Sequence, residues 1–180
     1  MTMDPRLSRI RGERGMTLVE LCVVIVIIGI LLVVAVASLL RARTAANEAS
    51  AIGALKTINT AQFAYSYGCG GGNYATSLVI LGRKPPGNSQ GYLSEDLGSA
   101  PSPVHSGYQF NVRMGAGAAA APPDCQGTAT TTQYYADAIP TALGQSGTRA
   151  FATTQRAGIW QEAGAVAPAE PFGAPASLVQ

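Results

Sequence analysis

Residues 11–21 read RGERGMTLVEL, and the fold turns on how that stretch divides. The run of arginines and glycines stops at Gly15. Apolar residues begin at Met16, and Glu20 follows with Leu18 and Val19 before it and Leu21 after it. The next twenty residues, 21–40 (LCVVIVIIGILLVVAVASLL), carry no charge, which is enough to cross a bilayer as a helix. A carboxylate at the edge of a lipid-facing segment is costly unless something neutralises it, and such residues mark function.

Three readings compete for the apolar run. The first is a single-span anchor whose arginine-rich leader stays inside. The second is a secretory signal peptide, cut after the small residues Ala35-Val36-Ala37 and before Ser38. Its apolar core is too long for a typical signal, and Glu20 interrupts its beginning. Neither reading gives the carboxylate a task.

The third reading does. The Arg-Gly-[Met-Thr-Leu-Val-Glu-Leu] pattern at 14–21 resembles the type III signal of type IV prepilins and pseudopilins. The resemblance implies a leader over 1–15, cut by a prepilin peptidase between Gly15 and Met16, with N-methylation of the new terminus at Met16. It places Thr17 and Glu20 in filament assembly, where Glu20 of one subunit meets the terminal amine of its neighbour. Methionine stands where the family commonly has phenylalanine. A glycine before the cut lets the backbone enter a protease cleft without a side chain. The family also often has a mid-helix glycine and a proline about eight residues on, around which the helix melts in the filament. Gly29 matches the first, but Ala37 occupies the proline position, so a melting site and a tolerated glycine both stay open.

Helical patterning continues past the apolar run. Residues 41–65 contain no proline and are rich in alanine, with Ala45, Ala49, Ile52, Leu55, Ile58, Ala61 and Tyr65 at steps of three or four. That spacing predicts an apolar stripe that packs on a globular partner, with Glu48 and Lys56 off it. Beyond Tyr67 the character changes. GCGGGNY at 68–74 predicts a turn, because no Lys-Ser/Thr pair follows to make it a phosphate loop. TSLVILG at 76–82 reads as one helical turn or a short strand. Strands are predicted at 107–114, 128–138 and in a hairpin around Arg156-Ala157 that ends at Trp160. MGAGAAAAPPD at 114–124 reads as an exposed loop, and the tail 162–180 as extended or disordered.

The expected fold class is therefore α+β. A long N-terminal helix, transmembrane in its first half, packs on a small antiparallel sheet of three or four strands, which is the architecture the resemblance implies. The expected divisions are a leader (1–15), a membrane and assembly half (16–40), an amphipathic half (41–66), a globular head (67–161) and a Pro/Ala-rich tail (162–180).

The totals restrict function. Charged residues are 12% of the 180, about half the share ordinary in soluble proteins. The net +2 sits in the leader, where Arg6, Arg9, Arg11 and Arg14 face Asp4 and Glu13; the other eight basic and eight acidic residues cancel. A neutral body attracts nucleic acid poorly, although local patches can exist on it. Cys22 lies in the apolar run and reads as a small hydrophobe. In an oxidising compartment Cys69 can pair with Cys125, whereas two free thiols would suit a cytosolic protein.

No residue pattern calls for catalysis, a metal or a cofactor. His105 reads as an exposed loop residue, and Glu95-Asp96 as a solvated turn. GQSGT at 144–148 is one residue short of a nucleophile elbow and reads as a turn. Tyr65, Tyr67 and Tyr74 lack the basic strip that base stacking would need. No counterpart of the calcium region of major type II secretion pseudopilins is evident, which favours pili.

The resemblance implies a non-enzymatic filament subunit, in a homopolymer or a mixed pilin filament. Its partners would be a prepilin peptidase, an inner-membrane assembly platform and the membrane itself, crossed once with the N-terminus cytoplasmic before the subunit enters a periplasmic or extracellular filament. Motility, adhesion, DNA uptake and secretion are all run by such filaments. A secretion pseudopilin and a membrane-anchored or secreted periplasmic binding domain are the alternatives.

Overall fold

The computed structural model describes residues 15–179; the leader expected over 1–15 lies outside them up to residue 14. The architecture is α+β, a long N-terminal helix with antiparallel sheets. Helix α1 is Leu18–Gly68, and the chain divides into two compact units, the first ending at Leu39 and the second starting at Leu40. Each is described by itself.

In the first unit, α1 consists of Leu, Val, Ile, Ala and Gly with Glu20, Cys22 and Ser38 as the exceptions. It is long and apolar enough to cross a membrane, with a mean hydropathy of 3.4 over its most apolar window and none of that window buried. In lipid, only a segment that satisfies all its backbone groups internally is tolerated, and a helix does so. The Ala35-Val36-Ala37 stretch is helical.

The second unit begins with the remainder of α1. Its buried face is Glu48, Ala51, Leu55, Ile58, Gln62, Tyr65 and Cys69, again in steps of three and four. The expected stripe was right from Leu55 onward, but Ala45 and Ala49 are exposed and Glu48, expected outside, is buried. Glu48 joins the face because Thr148 and Arg149 satisfy its carboxylate, while Ala51, Ala54 and Ala61 supply its small residues. The helix ends in glycines. Cys69 and Gly70 both donate their N–H groups to the Tyr65 carbonyl, and Gly71 and Gly72 adopt positive φ of 59° and 89°.

After the helix come β1 (Tyr74–Ala75), α2 (Leu78–Gly82), α3 (Glu95–Gly98), β2 (Val104–His105), β3 (Tyr108–Met114), β4 (Ala120–Ala121), β5 (Thr130–Thr131), β6 (Tyr134–Pro140), β7 (Arg149–Thr154), β8 (Ile159–Ala163) and β9 (Ser177–Leu178). One antiparallel sheet has the order β2-β3-β6-β7-β8-β9, and a three-stranded sheet has the order β1-β5-β4. Inner-face side chains Tyr108, Phe110, Tyr134, Ala136, Phe151 and Ile159 form one apolar core with Leu55, Ile58 and Tyr65 of α1. Small residues on β6 let the helix and sheet approach each other, while the aromatic rings fill the volume at either side.

Several expectations change here. The segment 128–138 is two strands in different sheets, divided at Thr132-Gln133. The loop 114–124 contributes β4 to the small sheet. TSLVILG forms the helical turn α2. The sheet has six strands: β2 adds one beside β3, and in the tail β9 pairs with β8 while the Tyr135 hydroxyl donates to the Pro168 carbonyl. Phe172 stacks on Trp160 and lies against Tyr135. The tail thus covers the outer face of the sheet, which explains why β6 is buried almost throughout.

A disulfide joins Cys69 to Cys125 with Cα atoms 5.0 Å apart. It ties the end of α1 to the loop before β5. Beside it the Tyr65 hydroxyl donates to Asp124 Oδ2 at 2.8 Å, and Asp124 Oδ1 accepts from the backbone N–H groups of Gln126 and Thr128.

Candidate functional site

The signal residues lie where the chain enters α1. Gly15, Met16 and Thr17 are non-helical and exposed. Thr17 caps the helix: its Oγ1 accepts from the Glu20 N–H at 3.2 Å, and its carbonyl accepts from the Leu21 N–H at 3.1 Å. Thr17 and Glu20 are thus the Thr-x-x-Glu pair of a capping arrangement, in which the acidic residue stands in the first turn where the helix dipole favours it. That role was legible in the sequence as a spacing of three before an apolar run, and the assembly reading of the two residues had passed over it.

Two features of this entrance matter chemically. Nothing lies within 4 Å of the position a Cβ would take on Gly15, so packing within the described residues does not require glycine there. The Glu20 carboxylate has no ion-pair partner among the described residues. Around it Leu18, Val19, Leu21 and Val23 are all exposed, so a carboxylate sits on a surface of bare hydrocarbon. The arrangement can offer an extended, accessible peptide bond at 15–16 to a protease, and a negative charge to a cation brought from elsewhere.

The other candidates lie in the second unit and serve structure. Glu48 Oε1 accepts from the Thr148 N–H at 2.8 Å and from Thr148 Oγ1 at 2.7 Å, and Oε2 accepts from Arg149 Nε at 3.0 Å. Burial alone would raise this carboxyl; the bonds from Arg149 and Thr148 outweigh it and hold the pKa below its ordinary 4.5. Gln62 pins β1 by donating to the Ala75 carbonyl and accepting from the Ala75 N–H, both at 2.9 Å. Asn59 donates to Thr153 Oγ1 and accepts from the Tyr134 hydroxyl. These buried helix polars all have partners, as burial requires.

His105, expected in an exposed loop, lies half-buried on the edge strand β2 and pairs with Asp96 of α3, Nδ1 to Oδ2 2.6 Å; Glu95 and Asp96 are exposed, as a solvated turn requires. Ser146 of the GQSG turn exchanges hydrogen bonds with the backbone of Ala142 and has no histidine beside it. Among the described residues no group of three or more His, Cys, Asp or Glu could hold a metal ion. Cys22 is an exposed free thiol on the apolar helix.

Neither a curated protein nor a solved structure matches this chain. One family model does, the prokaryotic N-terminal methylation motif, over residues 10–36. That span takes in the end of the arginine-rich leader, Gly15, Met16, the cap at Thr17, Glu20 and most of the apolar run. The chain therefore carries the prepilin-type cleavage and methylation signal of type IV pilins.

Proposed function

We propose that this protein is a structural subunit of a type IV pilus or a pilus-like filament. The prepilin peptidase cuts between Gly15 and Met16, the new amine of Met16 is methylated, and subunits assemble through their N-terminal helices. Before assembly the subunit crosses the inner membrane once with its leader in the cytoplasm; afterwards the head lies outside. The observation that carries this reading is Glu20, without an ion-pair partner among the described residues, at the start of an exposed apolar helix inside the matched signal.

The physical logic is neutralisation. An ion in hydrocarbon costs several kcal/mol, so a protomer that brings its terminal amine to the Glu20 of another removes the penalty only in one register. The chain's own hydrocarbon surface needs the same neighbours once it leaves lipid. A partner and a register are thus selected by a single carboxylate, and no catalytic group is involved.

Mass spectrometry of the mature protein tests this directly. The expected N-terminus is N-methylated Met16; an unprocessed chain that still forms filaments, or cleavage after Ala37, overturns the reading. A secretion pseudopilus would share these N-terminal steps and would differ in forming short periplasmic filaments only when the secretion platform is expressed.

A further inference from the structure

The head contains a cavity of about 450 Å³, outside the helix surfaces that assembly uses. Four separate pieces of chain build it: the β3–β4 loop at Ala116, Gln133 just before β6, the β7–β8 turn with its flanks, and the tail. Trp160 and Phe172 stack at a centroid distance of 5.2 Å and an interplanar angle of 18°, which makes one wall flat, apolar and rigid. Gln133, Gln155, Arg156 and Glu170 supply the polar lining.

The hydrogen-bonding capacity of that lining is largely unspent. Arg156 is exposed and has no ion-pair partner among the described residues. Glu170 uses Oε2 to accept from the Ala116 N–H at 2.7 Å, and the structure gives Oε1 no partner. Gln155 Oε1 is buried without a partner among the described residues, an unfavourable position that a turn of the terminal torsion relieves if a donor enters the cavity. Most buried polar groups do not remain in that state.

We propose that this cavity binds an uncharged saccharide of one or two rings. The volume falls within the range of ligand sites. The lining holds one positive and one negative side chain, so its net charge favours neither an anion nor a cation. Hydroxyl groups both donate and accept: they can donate a hydrogen bond to Glu170 or Gln155 and accept one from Arg156 or Gln133. The apolar C–H face of a pyranose matches the Trp160 wall. A purely apolar ligand would leave the polar groups unpaired, and a flat aromatic one would satisfy the wall alone.

Trp160 is the single tryptophan of the chain, so its fluorescence reports on this cavity without interference. The test titrates the full chain, in a detergent without a sugar headgroup, with cellobiose and with the disaccharide of N-acetylglucosamine. The expected result is a saturable change with one or both at millimolar concentrations. Arg156→Ala, an exposed position, should weaken it about tenfold by removing a charge-assisted bond. Calorimetry repeats the titration without relying on the indole. Sodium glucuronate should bind more weakly than either disaccharide. No saturable signal by either method up to tens of millimolar, an undiminished signal in Arg156→Ala, or a response only to a capped tripeptide would each overturn the assignment.

Discussion

The two parts of α1, before and after Leu39, are one helix by hydrogen bonding and opposites by chemistry. The earlier part exposes Val, Ile and Leu on every side, and its one charge has no ion-pair partner among the described residues. The later part buries polar side chains, Glu48, Asn59 and Gln62, and each has bonds within its own unit. Hydrophobicity alone therefore does not mark the surface that folds against the rest of the chain: beside the apolar Leu55, Ile58 and Tyr65 that face also carries polar groups. Where a helix is finished within its own chain, polar groups are buried and satisfied; where it is unfinished, apolar groups are exposed and a charge waits. The later part is completed by β-strands of its own unit; in the proposed function, lipid or other subunits complete the earlier part.

Glu20 and Glu48 give the sharpest contrast, one acid from each part. Glu20→Gln should reduce filament yield at least about tenfold, since an amide cannot neutralise a neighbour's amine, while the thermal melt of the head stays the same. Electron microscopy of sheared filaments and a melt followed by Trp160 fluorescence read the two effects separately. Filaments at normal yield would break the comparison at its first term.

Next in size is the disulfide. Replacing Cys69 and Cys125 together by alanine should cost the head about 2–4 kcal/mol in chemical denaturation, because a link across 56 positions restricts the unfolded chain. The membrane-spanning part should insert as before. Equal stability with and without reductant would contradict this.

Glu48→Gln should destabilise the head by about 1–3 kcal/mol, as Arg149 loses its ionic partner and Thr148 part of its acceptor. The same residue sets a pH dependence. The folded-state pKa of Glu48 is depressed, so its contribution is present above the unfolded value near 4.5 and is lost as pH falls through the lower folded value. Asp124 acts in the same direction below its ordinary 3.8: burial opposes its ionisation, and the N–H of Thr128, the Tyr65 hydroxyl and the N–H of Gln126 outweigh that. Denaturation midpoints should thus fall with acidification below pH 4.5, and less steeply in Glu48→Gln. A parallel slope in that variant would remove Glu48 from the account.

The smallest effect sits in the β7–β8 turn. Ala157 adopts φ of 59°, a left-handed conformation that costs an L-residue about 1 kcal/mol. Ala157→Gly should stabilise the head slightly, by no more than about 1 kcal/mol after the greater entropy of the unfolded glycine is subtracted. A loss of stability would show that the turn is held by contacts of the methyl group.

How much was legible in the sequence followed from range. The signal at 11–21 depends on neighbours in the chain and could be read directly, as could the stripe Leu55, Ile58, Ala61 and Tyr65, whose period is local. Strands β3, β7 and β8 carried enough alternation to be found. Glu48 could not be placed, because its partners Thr148 and Arg149 lie about 100 positions away and periodicity treats any carboxylate as surface. Strands of two residues, such as β4, β5 and β9, are too short to alternate; they exist through their pairing partners. The tail reads as extended or disordered by its proline content; it is ordered, and Phe172 finds Trp160 and Tyr135, a contact that composition does not encode. The capping role of Thr17 was available at a spacing of three and went unread beside its proposed assembly role.

The edge strand formed by Ser177–Leu178, with the Val179 N–H bonded to the Ile159 carbonyl, caps the sheet beside β8. Without those contacts the Ile159 carbonyl and the strand edge at Trp160 would lie bare, a template on which a second chain could add a strand.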